Sequence, residues 1–261
     1  MISMNQVWDD SVAFIRRESA LLVPLALATV YAGGVVANLA RGFSPPDKPS
    51  PIAGLIVLAA LIWSTVGQLA VMSLVLSPGQ SVGEAIRHGF ARIGKVVLIG
   101  LLIVLVMSVA LLPVGVAALA NGADPKNPVT FENVPTSVTL MLLVTMAAFI
   151  WLSVRLCLVS SLVVDRNPGV IEAIKRAFSL TKGITSRLIL VAVLYFAMVL
   201  ILGSAVQFVA GSMFALLGRA LESPFAGAVM TTLVLGLVST ALSLIATVFL
   251  ATLYRRVSNG A

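Results

Sequence analysis

The sequence holds one cysteine, Cys157, and one histidine, His88. A lone cysteine forms no intrachain disulfide and excludes the paired CxxC arrangements of zinc and redox sites. Charge is scarce too, at 10% of 261 residues, where a soluble domain carries about 25%. With one histidine and no clustered carboxylates, the chain lacks the ligand set that a divalent cation needs to stabilise phosphoryl charge and activate water, so no metal and no cofactor is expected. Asp9-Asp10 is the only acidic pair and reads as helix capping or solvation. G-x-x-x-x-G-K-[ST] does not occur, which removes the phosphate loop.

What fills the chain instead is 59% apolar residues, with a mean hydropathy of +1.09. An excess of that size cannot be hidden inside a globule surrounded by water, and it is the opposite of a disordered composition. The chain belongs in a bilayer. Its net charge of +7 comes from basic residues scattered singly and in pairs between apolar runs. That pattern suits anionic lipid and not nucleic acid, whose readers concentrate basic and aromatic residues on one polar face.

A membrane helix takes about 20 mostly apolar residues. Six runs qualify: Ala20 to Ala40, Ile52 to Leu76, Val96 to Ala120, Ser137 to Val164, Leu188 to Leu217 and Phe225 to Tyr254. The fold class is therefore all-α, a single integral membrane domain over residues 1–261. The first run is longer than a signal-peptide core of roughly 7–15 residues and follows Asp9, Asp10 and Glu18, so it reads as a retained span. One set of connecting segments carries Arg16, Arg17, Arg87, Arg92, Lys95, Arg166, Lys175, Arg176, Lys182, Arg187, Arg255 and Arg256, whereas the other carries only Arg41, Lys48, Lys126 and Arg219. Lys and Arg bias cytoplasmic loops, which places both termini in the cytoplasm. Asp47, Asp124, Glu132 and Glu222 offset the sparse outer charges.

The basic segments resemble one another. Phe14-Ile15-Arg16-Arg17, Ala85-Ile86-Arg87-His88-Gly89-Phe90 and Ala173-Ile174-Lys175-Arg176-Ala177-Phe178 each lead into a span, suggesting a threefold unit of interfacial helix plus hairpin. The interfacial helices fall at about 7–18, 81–94 and 168–182. In the second, Ser81 and Glu84 form a capping box, and His88 sits four residues after Glu84 as a surface ion-pair partner. In the third, Asn167 caps and Pro168 takes the first helical position. Its apolar stripe is Val170, Ile171, Ile174, Ala177 and Phe178, supported by a Glu172 to Arg176 pair. These helices read either as connectors resting on the inner leaflet or as surfaces that engage anionic headgroups or a protein partner. Ser64, Gly67, Gly203, Gly236 and Ser239, within the spans, suit close helix approach.

Arg155, Asp165, Ala173, Ile174, Arg176, Ala177, Leu180, Thr181 and Gly183 follow a pattern that resembles the membrane domain of some bacterial glycerophosphodiester phosphodiesterases and the YciC-type inner-membrane proteins. An Arg lies in the fourth span, an acidic residue closes that span, and an A-[IL]-x-R-[SA]-x-x-L-T-x-G helix follows. Gly79-Gln80-Ser81-Val82 and Tyr254-Arg255-Arg256 are similar as well. Pro113-Val114-Gly115 departs from the family's tight Pro-Gly turn, because here it sits inside an apolar run. The resemblance implies a bacterial inner-membrane location and a multi-helix protein, not phosphodiester hydrolysis by this chain.

Arg155 is the most informative residue, since a central membrane Arg costs about 2.5–3.5 kcal/mol. Asp165 is about 15 Å along the same helix and out of reach. Gln68, Gln207 and the Trp151 ring are the candidate neighbours. Arg155 either serves an anion or lipid-phosphate site or snorkels toward the interface. The candidate headgroup site is Arg155, Arg176, Lys182 and Arg187. The function expected is a non-catalytic scaffold or lipid-interacting partner, with membrane lipids, anionic on the cytoplasmic side, and an unidentified protein as partners. The alternative is a transporter of an anionic lipid or glycerophosphodiester.

Overall fold

Within hydrocarbon every backbone polar group must be satisfied internally, which leaves the helix as the form these apolar runs can take. A computed structural model describes residues 3–42, 50–120, 135–166 and 168–259. It is 92% helical, without strands among the described residues, which establishes the all-α class. The polar stretch 121–134, with Asp124, Lys126 and Glu132, lies outside the described residues, as do Asp47, Lys48 and the Asn167 cap.

The chain enters as α1 (Met4–Ala26), passes through a π-helical turn (Leu27–Tyr31) and continues as α2 (Ala32–Gly42). Two local causes shape this first rod. Glu18 leaves helical geometry, with φ −104° and ψ 16°, and kinks α1 where the amphipathic start meets the apolar run. Pro24 then removes a backbone donor inside the helix, and the wider turn just after it absorbs the lost bond. There follow α3 (Pro51–Leu76), α4 (Val82–Ala120), α5 (Thr136–Leu156), α6 (Val159–Arg166), α7 (Val170–Leu180), α8 (Thr185–Ala220) and α9 (Pro224–Asn259). Among the described residues, six rods are long and apolar enough to cross a membrane: Met4–Gly42, Pro51–Leu76, Val82–Ala120, Thr136–Arg166, Thr185–Ala220 and Phe225–Ser258.

Two expectations change. The interfacial helix expected at 81–94 is not a separate element, because α4 runs unbroken from Val82 to Ala120. Its Ser81 and Glu84 do form the capping box: the Ser81 amide donates to Glu84 Oε2 at 3.1 Å and the Glu84 amide to Ser81 Oγ at 3.3 Å. Gly89 does not break the helix but lets it cross α3, since a Cβ there would lie 2.9 Å from the Val66 carbonyl oxygen. Conversely, the fourth span is not one helix, because a turn at Cys157 and Leu158 separates α5 from α6.

The core gathers at one end of the bundle. Leu69 to Val75 on α3, Leu158 to Val164 on the turn and α6, and Val248 to Tyr254 on α9 are largely buried there, together with Val7, Phe14 and Leu22 of α1. The polar ties lie at the same end. Arg256 Nε donates to Asp10 Oδ2 at 2.8 Å and Nη1 to Gln6 Oε1 at 3.1 Å, joining the start of α1 to the end of α9. Asp10 is thus an ion-pair partner and not only a cap or a solvated charge. Lys95 Nζ donates to the Pro168 carbonyl at 3.1 Å, joining α4 to the start of α7. We call this the basic end, since Arg16, Arg87, Lys175 and Arg255 all belong to its segments. Away from it, Leu105, Leu143 and Phe208 stay exposed, as apolar side chains facing lipid would.

Small side chains set the closest crossings among α1, α2 and α3. A Cβ on Gly67 would collide with Thr29 in the π-turn, and one on Gly33 with Ser64. Thr29 cannot easily withdraw, because it is buried and its Oγ1 donates to the Leu25 carbonyl at 2.7 Å. Gly203, by contrast, meets nothing. Gly67→Ala is expected to destabilise the protein by about 1–3 kcal/mol through overpacking, read as an earlier thermal transition in detergent. Gly100→Ala, with open space around the position, is expected to leave the transition in place.

Candidate anion site at the basic end

The corner where α5, α6, α7 and α8 meet is built on small residues. Ala173, Ala177 and Thr181 recur every four positions and are all fully buried, so this side of α7 packs tightly onto the bundle. The apolar stripe expected from sequence is therefore divided: Ala177 faces protein, whereas Ile171 is 71% exposed. Thr181 Oγ1 donates back to the Ala177 carbonyl at 2.9 Å and ends the helix. Gly183 follows with φ +92°, a left-handed conformation that glycine adopts without steric cost, and the chain turns into α8. At the other end of α7 the N-cap is Gly169. Pro168 precedes the helix instead of opening it, buried beneath Lys95.

Arg155 projects from the last turn of α5 into two rings. Its guanidinium carbon lies 4.9 Å from the Trp151 ring centre and 5.5 Å from that of Phe178. The rings themselves meet edge to face at 6.1 Å. Nη1 donates to the Phe178 carbonyl at 3.4 Å, a long bond, and Nε is buried without a hydrogen-bond partner among the described residues. A desolvated cation over an aromatic face gains about 2 kcal/mol, comparable with the about 2.5–3.5 kcal/mol that a central membrane Arg costs. The two rings thus go most of the way to holding the charge in place. Trp151 is the neighbour expected from sequence. Gln68 and Gln207 make no hydrogen bond to Arg155 among the described residues, and Phe178 is the partner that sequence reasoning missed.

Asp165 is used elsewhere. The Tyr254 hydroxyl donates to its Oδ2 at 2.8 Å, and Arg166 Nε lies 3.6 Å from the same oxygen. The acidic residue closing the fourth span therefore anchors the last helix. Arg176 pairs with Glu172 at 2.7 Å, as the i,i+4 spacing indicates, with both side chains about half exposed. Such a surface pair contributes only about 0.3–0.5 kcal/mol. Lys182, in the turn after α7, and Arg187, on the first turn of α8, are exposed. Of the four candidate residues, Arg155 is held among rings, whereas Arg176, Lys182 and Arg187 present charge outward. His88, expected as a surface ion-pair partner of Glu84, forms no such pair among the described residues: its Nδ1 lies 3.2 Å from Arg92 Nη1, while Glu84 is engaged in its cap with Ser81.

Because a planar guanidinium lies over both rings in a way an ammonium cannot reproduce, Arg155→Lys is expected to lower stability by about 1–2 kcal/mol. Tyr254→Phe, which removes a hydrogen bond to a carboxylate, is expected to cost about 1.5–3 kcal/mol. Both are read from thermal unfolding in detergent. An unchanged transition in either variant would show that the ring box or the Asp165 anchor carries no stability.

Compared with family models, curated proteins and solved structures, the chain has no match.

Proposed function

We propose that this chain is a non-catalytic, lipid-interacting scaffold of the bacterial inner membrane, related to the glycerophosphodiester phosphodiesterase membrane domain, with the basic end in the cytoplasm. The observation that carries the reading is the corner itself, where Arg155 is fixed between Trp151 and Phe178 while exposed Lys182 and Arg187 flank the tightly packed end of α7. A cationic rim on an apolar bundle attracts anionic headgroups at about 1 kcal/mol per charge near the membrane surface. The residues of the pattern have structural work in this fold: Arg155 reaches Phe178, Asp165 receives Tyr254, Thr181 ends α7 and Gly183 makes the turn. A protein partner would meet the exposed side of α7, which carries Ile171 and Lys175.

The competing reading is a transporter of an anionic lipid or glycerophosphodiester. It is favoured by the break in the fourth span at Cys157 and Leu158, two residues from Arg155, since discontinuous helices line transport sites in membrane carriers. The close packing of the basic end favours the scaffold.

Phosphatidylglycerol added to the detergent-solubilised protein is expected to raise its melting temperature more than phosphatidylcholine does. Lys182→Gln with Arg187→Gln is expected to weaken the anionic lipid's binding by about 2 kcal/mol, close to thirtyfold. Equal stabilisation by both lipids would contradict the reading. Reconstituted uptake of a glycerophosphodiester that disappears in Arg155→Ala would favour the transporter.

A further inference from the structure

A second feature lies beside the Arg155 corner. Between α5, α8 and α9 there is a cavity of about 420 Å³, within the about 300–1,000 Å³ of ordinary ligand sites. One wall is α8 from Leu188 to Met198, and the opposite wall is α9 from Ile245 to Leu250. Trp8 of α1 stands at the edge, and Val154 and Cys157 close the α5 side. Almost everything that lines it is apolar. The Tyr195 hydroxyl is engaged by the Leu242 carbonyl at 3.1 Å, so Tyr195 offers the cavity its ring and not a free polar group.

Two properties identify the occupant. The walls belong to the fifth and sixth membrane-crossing rods, so what reaches the cavity is the bilayer and not water. From Leu188 to Met198 is about 15 Å at helical rise, half of the roughly 30 Å of hydrocarbon and hence the depth of one leaflet. The ends of the cavity differ in the matching sense. Leu188 directly follows the exposed Arg187 at the basic end, where the exposed Trp8 lines the cavity, and Trp rings favour the membrane–water interface. Met198 lies toward the middle of its span.

We propose that this cavity holds one acyl chain of a phospholipid from the leaflet on the basic side, with the chain lying between α8 and α9 and the headgroup at the level of Arg187 and Trp8. The proposal deepens the lipid reading above by naming where the chain goes, and it does not depend on the sign of the headgroup charge. An occupied cavity also joins the α8–α9 hairpin to α5, because the chain contacts Val154 and Cys157 on one side and Phe249 on the other.

The test is native mass spectrometry of the full chain released from bilayers of mixed phosphatidylglycerol and phosphatidylcholine. The wild type is expected to retain a single phospholipid. Ala192→Phe and Ala246→Phe, which fill the cavity, are expected to lose it, while Val209→Phe on the exposed side of α8 keeps it. Equal retention in the filled variants would overturn the proposal, as would none in the wild type. Since a filled variant could fail to fold, the unmodified protein is also photolysed in bilayers containing a phospholipid with a mid-chain diazirine. Adducts are expected on α8 between Leu188 and Met198, on α9 between Ile245 and Leu250, or on Cys157. Adducts confined to the exposed stretch Leu200 to Leu217 would contradict it. Cavity adducts of equal yield with both headgroups, alongside equal stabilisation by both lipids, would remove the headgroup reading and leave this one standing.

Discussion

Hydrocarbon offers a peptide no hydrogen-bond partner, and the architecture of this chain follows from that constraint. Backbone groups close on themselves in six long rods, and polar side chains within the spans turn back to carbonyls one turn away, as Thr29 does to Leu25 and Thr247 to Ser243. Where the ladder is interrupted, a local substitute appears. The π-turn follows Pro24, and the break at Cys157 sits in the fourth span two residues from Arg155. Most charges sit at the ends of the rods, predominantly the basic end, and Arg155 is held against rings.

That end is also where the helices are joined. Lipid tails are as apolar as leucine, so helix association in a bilayer relies on close packing and on polar contacts instead of on burial from water. Gly67 and Gly33 provide the first between α3 and the first rod. The second comes from Arg256 on Asp10 and Gln6, Tyr254 on Asp165, and Lys95 on the Pro168 carbonyl. These contacts tie the first, third, fourth and last rods together at one level. The remaining lengths of α4, α5 and α8 face lipid, and the apolar cavity opens where α5 meets the last hairpin. The proposed headgroup site at the rim and the proposed acyl site below it would occupy one corner, and together they would accommodate a whole lipid molecule.

Much of the fold was legible in the sequence because its signals are local. Apolar runs of sufficient length mark the spans, and S-x-x-E marks the start of α4. The kink at Glu18 falls where an amphipathic pattern gives way to an apolar one. What escaped sequence reasoning depends on contacts between distant segments. Nothing in Asp10 or Gln6 points to Arg256 some 250 positions away, and nothing in Asp165 points to Tyr254. Trp151 was visible as a neighbour of Arg155 because it lies one turn away, whereas Phe178 was hidden because another helix carries it. The continuity of α4 was also missed, since composition changes near Lys95 while helical geometry does not. The cavity could not be read at all, because gaps arise from the angles at which helices meet.

The account rests on a crossing pattern in which the Arg87 and Lys175 segments share a side with both termini. Its most direct test is impermeant-thiol labelling in sealed vesicles, with Cys157→Ser as background and single cysteines introduced as His88→Cys, Lys175→Cys, Ser258→Cys and Leu221→Cys. The account predicts that the first three label from one side and Leu221→Cys from the other. Labelling of His88→Cys and Lys175→Cys from opposite sides would contradict it.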